Sequence, residues 1–128
     1  MKEYILDTNC LLRYLLHDNI AQSNKVKKFF SQALSLKISI MIPIVVFTET
    51  VYAMVKLYKF ERIIVADKLK TIVNNAYLEI ERREILLQAL TQFADSNFSL
   101  IDLLLYFEAK KTDKELLTFD RKLKKLNI

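Results

Sequence analysis

Asp7, Glu49, Asp102 and Asp120 are the residues of this 128-residue chain whose type and placing could do chemistry. Asp7 ends the apolar run Tyr4-Ile5-Leu6, and Asp120 ends Leu116-Leu117-Thr118-Phe119. Glu49 stands inside Ile44–Val51, and Asp102 interrupts Leu100-Ile101 before Leu103-Leu104-Leu105. Carboxylates gathered in one pocket repel one another, which raises some of their pKa values and destabilises the fold unless a cation relieves them. A hard divalent ion such as Mg²⁺ takes oxygen ligands, keeps several waters, and binds through one or two carboxylates plus a substrate phosphate. It activates a water and stabilises the charge that builds at an attacked phosphorus, so the chemistry open to such a set is phosphodiester hydrolysis. No histidine or cysteine is needed for it. His17 and Cys10 are the only ones present, which leaves no intrachain disulfide and no thiolate zinc site. Nothing around His17 suggests catalysis, and a surface position after Leu15-Leu16 is expected. There is no glycine either, so neither a P-loop nor a dinucleotide fingerprint can be written.

Each acid also has a plainer use. Asp7 and Asp120 can cap the segments that follow them. Ser99 and Asp102 fit the S-x-x-D form of a capping box. Glu49 can face solvent near a helix N-terminus, where the macrodipole favours negative charge. Singly, each of these uses is sufficient; all four acids together point to metal.

The elements that must position them are short strands alternating with helices. Tyr4-Ile5-Leu6, Ser39-Ile40-Met41-Ile42, Tyr77-Leu78-Glu79-Ile80 and Leu116–Phe119 read as strands. Val26, Phe29, Phe30, Ala33 and Leu34 mark one face of a helix, and Pro43 opens another that carries Val51, Met54, Val55 and Tyr58. Val65, Leu69, Ile72 and Val73 mark the next helix, followed by Ile85, Ala89 and Phe93 on another. Ser99 begins a helix to about Lys111, and Arg121–Ile128 reads as a helical turn with a short extended end. This alternation implies one α/β domain over residues 1–128, with a mostly parallel sheet covered on both faces. Sites in such sheets lie beyond the carboxyl ends of the strands, where Asp7 and Asp120 are expected on neighbouring strands. Turns that would take glycine at positive φ must use Asn, Asp or Lys, or avoid that region.

The net charge is +5, and residues 110–128 alone carry +4. A polyanionic partner suits that balance, with Lys122, Lys124 and Lys125 as candidates for phosphate contacts. The N-terminus lacks the apolar stretch of a signal peptide, and Ile38–Phe47 is too short to span a bilayer, so a reduced, cytoplasmic protein is expected.

The run Leu6-Asp7-Thr8-Asn9-Cys10-Leu11-Leu12-Arg13-Tyr14-Leu15-Leu16 resembles the opening of PIN domains, specifically the VapC toxins of toxin–antitoxin pairs. The likeness continues through Pro43 and Glu49-Thr50-Val51-Tyr52, then Phe98–Leu105, then Leu117-Thr118-Phe119-Asp120-Arg121-Lys122-Leu123. It covers essentially the whole chain and keeps the family's order of Asp, Glu, Asp and Asp. What the resemblance implies is a three-layer PIN-like fold and a Mg²⁺- or Mn²⁺-dependent endoribonuclease. By the same carry-over Asp7, Glu49, Asp102 and Asp120 hold the metal, with Thr8, Asn9 and Thr118 as polar supports beside them. It also implies a small cognate antitoxin and a homodimer. Cys10 stands where Val or Ile is usual, and the glycine often found between the last helix and strand is absent, with Asp113 and Lys114 in that region. Asp95 lies too far from Asp120 in sequence to replace Asp102.

Two other functions are open. Asp7-Thr8 after a strand faintly resembles the haloacid-dehalogenase phosphatases, which need a second Asp where this chain has Asn9. A PIN-like RNA- or protein-binding module without catalysis is the other, although it gives no reason for a complete set of acids. The helices around Val51–Tyr58 and Ile64–Val73 carry apolar stripes that either fill the core or are covered by an antitoxin or second subunit.

Overall fold

Strand β1 (Lys2–Ile5) pairs in parallel with β2 (Ile38–Ile42), and β2 pairs in parallel with β3 (Glu79–Ile80), in a computed structural model that describes residues 1–128. The order β1-β2-β3 leaves β1 with one free edge. Parallel neighbours need crossovers. Helices α1 (Thr8–Leu16) and α2 (Ile20–Leu34) make the first; α3 (Ile44–Tyr52), a π-helical turn Ala53–Leu57 and α4 (Arg62–Val73) make the second. After β3 come α5 (Arg83–Ala94), α6 (Leu100–Lys111) and the short α7 (Arg121–Lys125). In β2, Ile40 and Ile42 are buried while Ser39 and Met41 are partly covered, so neither face of the central strand is open to water. The α/β architecture expected from the alternation is the one found.

Local sequence accounts for most boundaries. The Asn19 side chain caps α2 by accepting from the Gln22 amide at 3.1 Å, and that helix buries Val26, Phe30 and Ala33. Leu34, expected on the same stripe, is exposed. Pro43 enters α3 with φ −67°, the value its ring fixes in advance. The expected faces of α4 and α5 are buried, with Val65, Leu69 and Ile72 meeting Ile85, Ala89 and Phe93 in one continuous core. His17 is exposed, as expected, and closes α1 at φ 55° with Nδ1 3.0 Å from the buried Ser23 hydroxyl.

Two findings depart from expectation. Leu116–Phe119 is not a strand. The chain leaves α6 through Asp113 at φ 54°, the Lys114 amide turns back to donate to the Ala109 carbonyl at 2.8 Å, and the segment then runs toward α7. With no strand beside it there is no ladder to stabilise extended pairing, and β propensity alone is insufficient. Leu117 and Phe119 are consequently 96% and 98% exposed. The second departure is at turns. Lys59 and Asp113 take positive φ as the composition suggests, but so do His17, Leu36 and Arg82.

Long connections are held by arginine. Arg83 donates to the main-chain carbonyls of Val73, Asn75 and Leu78, which fixes the approach to β3. Arg62 donates to the carbonyls of Phe93 and Phe98 and lies 3.5 Å over the Phe93 ring. It thereby ties the α5–α6 connection, and the residues leading into Asp102, to the start of α4. Burial lowers the Arg62 pKa. No helix is long and apolar enough to cross a membrane.

Candidate active site

Asp102 and Asp120 face one depression of about 300 Å³, shared with Asn97, Phe98 and Lys122. Ser99 sets the first of them. Its hydroxyl accepts from the Asp102 amide at 3.1 Å and starts α6, which places Asp102 in the first helical turn, partly buried. That is one half of the capping box read from the sequence. Asp120 is set by its own cap: Oδ1 accepts from the Leu123 amide at 2.9 Å and begins α7. The Thr118 hydroxyl accepts from the Asp120 amide at 3.1 Å, which fixes the main chain at Asp120.

Asp7 repeats the pattern at α1, where Oδ1 accepts from the Cys10 amide at 2.9 Å. The capping uses of Asp7 and Asp120 are therefore real, and each occupies a single carboxylate oxygen in the cap. Asp7 opens onto a different concavity, of about 460 Å³, beside Asn9, Cys10, Arg13 and Lys25. Its carboxylate marks Cys10: burial first, then the hydrogen bond and charge of Asp7, push the thiol pKa up. Arg13 bridges away from that concavity, pairing with Asp18 at 3.2 Å and donating to the Tyr58 hydroxyl at 3.1 Å. Thr8 is the first residue of α1.

Glu49 is exposed on α3 and stands outside the Asp102–Asp120 depression. The four acids expected to converge are thus divided here, with two together and two apart. No three His, Cys, Asp or Glu side chains lie close enough to hold a metal between them. A closed cage of four carboxylates does not describe this arrangement. An open pair does fit Mg²⁺ or Mn²⁺, since such ions keep most of their waters and take substrate phosphate as a further ligand. Phe98, which opens the third stretch of the likeness, lines the depression together with Asn97, which the sequence did not single out; its place two residues before the Ser99 cap was the available signal.

Among the C-terminal cations, Lys111 pairs with Glu84 at 3.3 Å. Lys122 stands at the acidic depression, while Lys124 lines a separate cavity together with Thr118. Lys125 is exposed at the end of α7.

The family model for the PIN domain matches residues 4–128. A VapC ribonuclease from Aquifex aeolicus (strain VF5) is 28% identical over 125 residues, covering 97% of this chain and 92% of that protein. No solved structure matches.

Proposed function

The chain belongs to the PIN-domain family, and from that premise we propose that it is a metal-dependent endoribonuclease of the VapC type, held in check by a small cognate antitoxin. The observation that carries this is the pairing of Asp102 and Asp120 across one depression, with the Lys122 cation beside them. Those two carboxylates would hold Mg²⁺ or Mn²⁺. The chemistry supplied by such an ion when bound is Lewis-acid polarisation of the scissile phosphate and of an attacking water. The chain's own residues do the rest. Ser99 and Thr118 fix the two acids through main-chain amides, Lys122 draws the phosphodiester in, and Phe98 walls the depression. Asp7 and Glu49 enter through the family pattern, together with Asn9 and Thr8 as polar supports, and are tested separately from the pair.

A second copy or the antitoxin would cover the exposed apolar side chains Tyr52, Leu57, Ile63, Ile64 and Ile101 on α3, the π-helical turn, α4 and α6. A homodimer in the cytoplasm is proposed on that basis and on the resemblance. The division of the four acids favours a second reading, an RNA-binding module without catalysis.

The test is cleavage of a pool of structured RNAs by the purified chain with Mg²⁺, Mn²⁺ or EDTA, beside Asp102→Asn and Asp120→Asn. Metal-dependent cuts lost in both variants support the nuclease, and end-mapping names its target. RNA binding without any cutting selects the binding module.

A further inference from the structure

Phe119 is 98% exposed and Leu117 96%, in a segment that no other strand pairs. Scattered apolar residues on a surface need no explanation, but a phenyl ring standing almost wholly in water beside a candidate nucleic-acid site does. Its neighbours in sequence lie in two different concavities. Thr118 lines a cavity of about 850 Å³ between α6 and α7, and Asp120 lines the acidic depression. Two residues of chain span at most about 7 Å, so the backbone carrying Phe119 passes directly from the wall of one concavity to the wall of the other.

The larger cavity is cationic. Lys110, Lys114 and Lys124 line it against a single acid, Glu115. Lys110 is committed, donating to the Ile128 main-chain oxygen. Lys114 and Lys124 have no carboxylate within ion-pair reach, the three ion pairs of the chain lying elsewhere. The volume falls within the ~300–1,000 Å³ of ordinary ligand clefts. A basic groove with an exposed aromatic beside it is the arrangement that takes single-stranded nucleic acid, the cations following the phosphates and the ring stacking on a base.

We propose that Phe119 is a base-stacking platform and that Lys114 and Lys124 hold the backbone of a single-stranded RNA running from their cavity, past the Phe119 ring, to Asp102 and Asp120. The last step rests on the ribonuclease function proposed above; stacking and backbone binding do not. Phe119 and the two lysines are thus specificity residues, selecting unpaired RNA over duplex, because a base already stacked within a helix cannot be presented to the ring.

The experiment is fluorescence anisotropy of a labelled unstructured RNA oligonucleotide in EDTA, with its duplex as competitor and with thermal denaturation of every variant. In EDTA no metal-dependent cleavage occurs, so a chain that fails as a nuclease still reports on this proposal. Phe119→Ala is expected to weaken single-strand binding about 5–140-fold, and Phe119→Trp to restore it. Lys114→Gln with Lys124→Gln is expected to flatten the slope of log affinity against log salt by about 1.4. Wild-type affinity in Phe119→Ala, or equal binding of duplex, overturns the proposal. Loss of binding that tracks a lowered melting temperature and is not restored by Trp also overturns it, and assigns Phe119 to packing against this chain.

Discussion

Replacing Asp7 by Asn and, separately, by Ala divides its structural work from its proposed chemistry. Asn caps a helix about as well as Asp, because its side-chain oxygen accepts the same amide hydrogen bond. The bond at stake is the 2.9 Å contact from the Cys10 amide to Oδ1, and α1 has no other acid in its first turn. Losing an N-cap costs about 0.5–2 kcal/mol, typically near 1. Losing the negative charge beside the helix dipole costs about 0.3–1 kcal/mol at an exposed site, and screening favours the lower end. Asp7→Asn should therefore lose about 0.3 kcal/mol, and Asp7→Ala about 1.3. For a chain of this length 1 kcal/mol moves the melting temperature by about 3–5 °C, so the two variants should melt about that far apart. The assay is thermal denaturation by circular dichroism, run beside the RNA cleavage assay. Both variants should be inactive if Asp7 shares in the chemistry. Equal melting temperatures for Asn and Ala would refute the capping account, and full cleavage by Asp7→Asn would remove Asp7 from the catalytic set.

Asp120→Asn should lose only about 0.3 kcal/mol while abolishing cleavage, since it too keeps its cap on α7; a melting and activity series with Asp120→Ala checks it. Arg83→Met leaves the carbonyls of Val73, Asn75 and Leu78 without their donor and should lower stability by about 2–3 kcal/mol in urea denaturation. Cys10 should react slowly with iodoacetamide at pH 8, because a raised pKa leaves less thiolate below it. Asp7→Asn removes a negative neighbour, so the alkylation profile should shift toward lower pH and the rate at pH 8 should rise; mass spectrometry reads both. Leu36→Gly should raise stability by about 0.5–1 kcal/mol in thermal denaturation, as relief of a left-handed leucine exceeds the entropy that glycine adds to the unfolded chain.

Where local rules govern, the sequence could be read directly. The stripe through Val65, Leu69 and Ile72 appeared as spaced apolar residues and is buried in α4. Pro43, Ser99 and Asp120 announced helix starts through their own chemistry, and each opens the helix expected, whereas α1 was legible only as a segment that Asp7 could cap. Leu116–Phe119 failed because a strand is a property of two segments: nothing in those four residues says whether a partner lies at the edge of β1. The same holds for the site. Asp102 and Asp120 could be picked out as acids in apolar surroundings, but which acids share a depression depends on how α6 and α7 are carried, and the arginines that fix the chain's longer connections give no periodic signal. Arg62 and Arg83 act through main-chain carbonyls 31–36 and 5–10 residues away.

The absence of glycine bears on the chain before it folds. Without glycine, every residue of the unfolded ensemble is biased away from left-handed conformations, so folding has less backbone freedom to remove than in a chain of average composition. Five residues must nevertheless enter that region to complete the turns after α1, α2, the π-helical turn, β3 and α6. Those turns are the least probable local events in an otherwise restricted ensemble. Refolding rates should accordingly respond to glycine at these junctions more than to changes along the helices they join, which makes the turns the points at which the time to reach the native state can be tuned.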